Sequence, residues 1–91
     1  MSYNIVQTKT AVKDASKLKS ASKGLKERLI LILKELSLHP YEGIGNPEQL
    51  KYSLSNYWSR ELTKKDRIVY SVDESSNTVT IYQYLGHYLD K

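Results

Sequence analysis

Tyr57-Trp58-Ser59-Arg60-Glu61-Leu62-Thr63-Lys64-Lys65-Asp66-Arg67-Ile68-Val69-Tyr70-Ser71-Val72-Asp73 has the pattern of an antiparallel hairpin. Two runs rich in aromatic and β-branched residues, 57–63 and 67–73, flank the polar turn Lys64-Lys65-Asp66. In the second run Ile68, Tyr70 and Val72 share one face, while Arg67, Val69 and Ser71 share the other. Downstream, Glu74-Ser75-Ser76-Asn77 is a further polar turn, and residues 78–85 form a last strand.

Upstream the period changes. Val12, Ala15, Leu18 and Ala21 recur at three-residue steps among lysines, which predicts a helix with a narrow apolar stripe, Thr10 as its N-cap and Ser22-Lys23-Gly24 as its end. A second helix is expected from about Leu25, burying Leu25, Leu29, Ile32, Leu33 and Leu36 and stopping at Pro40. Tyr3-Asn4-Ile5-Val6-Gln7 reads as a first strand. Pro40 to Pro47 is loop, with Gly43-Ile44-Gly45 a turn, and Asn46-Pro47-Glu48-Gln49 suggests one helical turn bearing Glu48. The expectation is therefore an α+β domain over residues 1–91. Its β-α-α-β-β-β order makes a four-stranded, mainly antiparallel sheet packed on an N-terminal helical hairpin.

The composition narrows the function. There is no cysteine, which removes thiol nucleophiles and thiolate metal sites and fits a reducing compartment. Neither a leader nor an apolar run of membrane-spanning length is visible, so a cytoplasmic protein with no membrane partner is expected. The net charge of +4 favours a polyanion or an acidic protein as partner, with the lysines of the first half crowded on the helices. Phosphate loops, catalytic triads and carboxylate clusters for a metal are absent, and no cofactor is expected.

Cleavage of RNA through its own 2′-hydroxyl needs a base for that proton, a cation for the crowded phosphate and an acid for the leaving 5′-oxygen. Glu48, Arg67 and His87 supply one of each without a metal. Tyr82, Tyr84 and Tyr88 offer rings on which unpaired bases stack. His39, before Pro40, reads as a helix-end residue with no chemical role.

These residues lie in segments that resemble a known family. Pro40-Tyr41-Glu42-Gly43-Ile44-Gly45, Pro47-Glu48, Leu50-Lys51, Leu54-Ser55, Tyr57-Trp58-Ser59-Arg60, Arg67-Ile68-Val69-Tyr70 and His87-Tyr88 are similar, in this order, to the YoeB/Txe toxins of the RelE-like ribonuclease superfamily. The resemblance implies Glu48 as general base, His87 as general acid and Arg67 as the group that stabilises the scissile phosphate. Tyr88, Lys51, Arg60 and Tyr84 are then expected to contact substrate. It further implies cleavage of mRNA in the ribosomal A site, contacts with ribosomal RNA, and inhibition by a YefM/Phd-type antitoxin; relatives also dimerise. The chain departs from the pattern at Glu61, where a second arginine is common, at Gln49 and Asn46, and in continuing to Leu89-Asp90-Lys91. Two alternatives belong to other classes: a ParE-like gyrase inhibitor without catalysis, and a basic RNA-binding module without turnover.

Overall fold

Thr8 and Ser22 each stand in extended backbone, and their hydroxyl oxygens accept the N–H groups of Ala11 and Leu25. These N-caps start α1 (Lys9–Lys17) and α2 (Lys23–Leu38) in the computed structural model, which describes residues 2–86. Both helices begin earlier than the sequence suggested. Thr8 outcompetes Thr10 because its hydroxyl also donates to the Tyr82 carbonyl at 3.1 Å, tying the helix start to the last strand. Gly24 falls inside α2, and the join is the short 3-10 turn Leu18–Ser20. The buried positions are Ala11 and Asp14 on α1 and Leu18 in the turn after it, with Val12 exposed where the expected stripe would have buried it. On α2 the expected face is the buried one: Ile32 and Leu36 are sealed, with Leu25, Leu29 and Leu33 packed around them.

The strands are β1 (Asn4–Gln7), β2 (Glu48–Gln49), β3 (Trp58–Glu61), β4 (Arg67–Asp73) and β5 (Thr78–Gln83). They form one sheet in the order β1-β5-β4-β3-β2, with β1 parallel to β5 and every other pair antiparallel. The fold is α+β as expected, with five strands where four were expected. Ile68, Tyr70, Val79 and Ile81 on one sheet face meet Ala11, Leu18, Ile32 and Leu36 of the helical layer. Burial of such aliphatic side chains contributes roughly 1.5–3 kcal/mol each and is what fastens helices to sheet. No helix among the described residues is long and apolar enough to cross a membrane.

One irregularity positions the site. Val69 pairs with Gln83 while Tyr70 pairs with Ile81, so Tyr82 is the extra residue of a β-bulge. A bulge reverses the alternation beyond it. Tyr82 lies away from the helices, edge-on to Tyr57 at 5.1 Å between ring centroids and with its hydroxyl 3.0 Å from Ser71 Oγ. Tyr84, two residues on, turns the opposite way and enters the core.

Candidate active site

The sheet face away from the helices is read directly from the pairing register. Glu48 pairs with Ser59, Ser59 with Val69, and Val69 with Gln83, so these four residues form one row across the sheet. Arg67 lies two residues from Val69 on the same face, opposite Glu61. Two strand spacings and two residue rises separate the Glu48 and Arg67 backbones by about 12 Å, a gap that two long side chains and a phosphate can fill. Between them, Ser59 Oγ is buried and has no hydrogen-bond partner among the described residues.

Glu48 sits in a strand, which corrects the expected helical turn. Asn46 takes a left-handed backbone (φ 52°), whereas an N-cap needs extended geometry. On either side of β2 the pairing continues: Glu61 N–H donates to the Gly45 carbonyl at 2.7 Å, and Leu50 N–H to the Tyr57 carbonyl at 2.9 Å. A ladder of this length outweighs a single isolated turn, whose nucleation is unfavourable. Glu48 is exposed on this edge strand. Beside it Gln49, Leu50, Lys51 and Leu54 line a cavity of about 320 Å³, and Lys51 is exposed.

Arg60, expected at the substrate, is turned into the interior. It shares the core-facing parity of Trp58 and Ile68, and its side chain is fully buried. Its guanidinium binds Glu35 Oε1 at 2.6 Å and the carbonyls of His39, Glu42 and Ile44 at 2.8, 2.8 and 3.3 Å. Those carbonyls belong to the end of α2 and the loop after it, so Arg60 caps the helix from inside the protein. Burial works to raise the Glu35 pKa. The Ile44 N–H (2.9 Å) and the Arg60 guanidinium together outweigh it, and the carboxyl is held below its ordinary value. The loop must be glycine where it passes this pair: a Cβ on Gly43 would stand 2.1 Å from Glu35 Oε1.

Tyr84 is likewise interior. The bulge at Tyr82 sends its ring inward, its hydroxyl donates to Gln7 Oε1 at 2.6 Å, and burial pushes its pKa up to about 12. The ring available beside the Glu48 row is Tyr82, braced by Tyr57. His87 and Tyr88 lie outside the described residues. The chain reaches that point through Gly86, whose carbonyl accepts the Arg67 N–H at 2.8 Å. Two acids that sequence reasoning passed over hold this exit. Asp14 Oδ2 accepts the N–H groups of Tyr84 and Leu85 at 3.0 and 3.3 Å, and Asp66 Oδ1 accepts that of Gly86 at 2.9 Å. The sequence offered no signal for them: Asp14 falls outside the Val12, Ala15, Leu18 and Ala21 stripe, and its burial shows only in the structure. Among the described residues, no three His, Cys, Asp or Glu side chains group as a metal site would require.

The model of the YoeB-like toxins of bacterial type II toxin–antitoxin systems matches residues 7–88. Among curated relatives, a YoeB toxin of Escherichia coli O6:H1 is 42% identical over 57 residues, 63% of this chain and 66% of that one. A YoeB toxin of Synechocystis is 44% identical over 50 residues, 55% of this chain and 58% of that one. The matched segments thus span less than two thirds of these relatives' own length. Solved structures match more fully. A YoeB/ParE toxin from Agrobacterium tumefaciens superposes with a TM-score of 0.84 at 28% identity, covering 93% of this chain and 99% of that one. A YoeB dimer from Staphylococcus aureus superposes at 0.80, and the YoeB chain of a YoeB–YefM complex from the same organism at 0.79. Both are 32% identical and cover 94% of this chain and 98% of theirs. With its family's pattern running through both the helices and the sheet, the chain belongs to the YoeB-like toxins of bacterial type II toxin–antitoxin systems.

Proposed function

We propose that this protein is a ribosome-dependent endoribonuclease, a single-domain cytoplasmic toxin that cuts mRNA in the A site through the RNA's own 2′-hydroxyl. One observation supports this above others. The register brings Glu48 and Arg67 to one sheet face, and Gly86, the residue before His87, is hydrogen-bonded to the Arg67 backbone.

In the proposed reaction Glu48 takes the 2′-proton and the freed oxygen attacks phosphorus. Arg67 stabilises the charge that accumulates on the non-bridging oxygens. The bond from phosphorus to the 5′-oxygen breaks, and His87 gives that oxygen a proton. The products are a 2′,3′-cyclic phosphate and a 5′-hydroxyl. Lys51 and Tyr88 are proposed to hold the substrate, with Tyr82 as a stacking ring in place of Tyr84. An acidic YefM/Phd-type antitoxin segment is the proposed inhibitor, complementary to the net charge of +4, and a homodimer the proposed assembly. The Staphylococcus aureus complex and dimer support both.

The test is to add purified protein to translating ribosomes and map the ends of the message. Glu48→Gln is expected to slow single-turnover cleavage about 10²-fold while leaving ribosome affinity within about twofold. Intact message with the native protein, or unchanged cleavage by the variant, overturns the reading.

Glu61 adds a second expected outcome. Its backbone is held on both sides, by the Gly45 carbonyl and by Arg28 donating to its own carbonyl at 2.8 Å, so its side chain stays across from Arg67. A carboxylate there opposes the approach of a phosphate by on the order of 1 kcal/mol. Glu61→Arg is expected to raise cleavage about fivefold at low salt, with the gain shrinking as salt is added. A rate that stays level at every ionic strength removes Glu61 from the field felt by the substrate.

A further inference from the structure

Residues 84–86 follow β5 with no helix or strand of their own, yet their backbone groups are heavily bonded. Here each backbone N–H from Tyr84 to Gly86 is taken by a carboxylate: Tyr84 and Leu85 by Asp14, Gly86 by Asp66. The carbonyls are held too, Leu85 by Gln83 Nε2 at 2.9 Å and Gly86 by the Arg67 N–H at 2.8 Å. Gly86 turns there with φ 86°, a left-handed geometry that suits glycine.

The two acids are themselves costly to place and firmly held. Asp14 is only 8% exposed, on the helix face where an alanine or leucine would pack. Burying a carboxylate is unfavourable unless donors meet it, and the donors it meets are those of the chain exit. Asp66 sits in the β3–β4 turn. Its Oδ2 accepts the Thr63 hydroxyl at 2.7 Å, its own N–H donates to Thr63 Oγ1 at 3.0 Å, and its carbonyl accepts the Leu62 N–H at 3.0 Å. Asp66 also adjoins Arg67 in sequence, so one rigid turn sets both the arginine and the point where the chain leaves the sheet.

We propose that Asp14 and Asp66 are positioning residues, a carboxylate clamp on residues 84–86 that fixes the point beside Arg67 from which the chain runs on to His87. This rests on the reading of His87 as general acid. Neither aspartate touches the RNA; each acts through the backbone, and loss of either relaxes the aim of the acid rather than removing it. Misplacement on the scale of an ångström typically costs up to about 10²-fold in rate.

The test uses the full chain on ribosomes programmed with two synthetic messages. One carries the ordinary linkage at the A-site codon; the other carries sulfur in place of the bridging 5′-oxygen, a leaving group that needs no proton. Asp66→Ala is expected to slow cleavage of the ordinary message about 10- to 100-fold, with ribosome affinity unchanged. Most of that loss should be regained on the sulfur message, as it should for His87→Gln. Asp66→Asn, which keeps an acceptor oxygen for Gly86, should cleave nearly as the native protein does. Asp14→Ala, melted beside the native protein to establish that it folds, should show a loss with the same sulfur rescue, whereas Asp14→Asn, whose one oxygen can still accept both N–H groups, should lose little. If His87→Gln is rescued by sulfur but Asp66→Ala is equally slow on both messages, or not slow at all, the clamp is wrong and the ribonuclease reading stands. If His87→Gln cleaves both messages at the native rate, the assignment of the acid fails and the clamp falls with it.

Discussion

On the proposed mechanism, alanine in place of Arg67 is expected to lower single-turnover cleavage of ribosome-bound message by about 10²–10³, the range seen when one preorganised donor to a transition-state oxyanion is removed. Arg67 opens β4 on the face shared with Glu48, and its backbone N–H is fixed to the Gly86 carbonyl. In the proposed reaction a guanidinium there meets a charge that grows as the 2′-oxygen adds to phosphorus, so its loss should fall on the chemical step more than on binding. Ribosome affinity should change by no more than one phosphate contact would give, a modest loss whose salt dependence is correspondingly shallow. Arg67→Lys should recover only part of the rate, because an ammonium lacks the planar pair of donors that grips two phosphate oxygens. Lys64 and Lys65, exposed in the adjacent turn, cannot substitute for a group fixed in the strand. If the alanine variant binds poorly but, once bound, cleaves at the native rate, Arg67 is an anchor and the charge-stabilising role is wrong.

Much of the fold was legible because two periods run without interruption. The alternation at Arg67 to Val72 assigns each residue to a face, and the spacing of Leu25, Leu29, Ile32, Leu33 and Leu36 marks the buried side of α2. What escaped has no period. β2 is two residues long, and its pairing with β3 depends on a left-handed Asn46 that no composition announces. The bulge is a single inserted residue; simple alternation puts Tyr82 and Tyr84 together, and only the register of Val69 with Gln83 separates them. The site was half legible. Glu48 and Arg67 could be named as candidates, but the face they share follows from a strand the sequence did not reveal. Asp14 looked like one more charge on a basic helix until the chain exit was seen to need it.

Arg60→Met will destabilise the protein by on the order of 3 kcal/mol, a Tm lower by roughly 12–25 °C for a chain of this size. The alternation itself held the reason: Arg60 shares parity with Trp58, and through the register with Ile68 and Tyr70, so it points at the helices and not at the RNA. Methionine fills much of the volume but offers nothing to Glu35 or to the carbonyls of His39, Glu42 and Ile44. Breaking a buried pair typically costs about 3–5 kcal/mol; the lower end applies because Glu35 keeps 30% of its side chain exposed and water can partly replace the lost partner. The Tyr70 hydroxyl, which donates to the Pro40 carbonyl at 2.6 Å, remains to hold the loop, so the variant should lose stability without changing fold. Acid should act differently on the two proteins. Because the folded Glu35 carboxyl sits below its ordinary value of 4.5, the native pair contributes its full stability above that pH and loses it as pH falls through the depressed folded value. Without Arg60 burial acts on the carboxyl with less opposition, its folded pKa rises, and this acid-labile contribution shrinks. Melting curves from pH 7 down to 3 should therefore converge, the native protein losing more of its Tm than the variant. Parallel curves, or a variant as stable as the native protein at neutral pH, would mean that the buried pair is replaceable and that something other than Arg60 holds the end of α2 against the sheet.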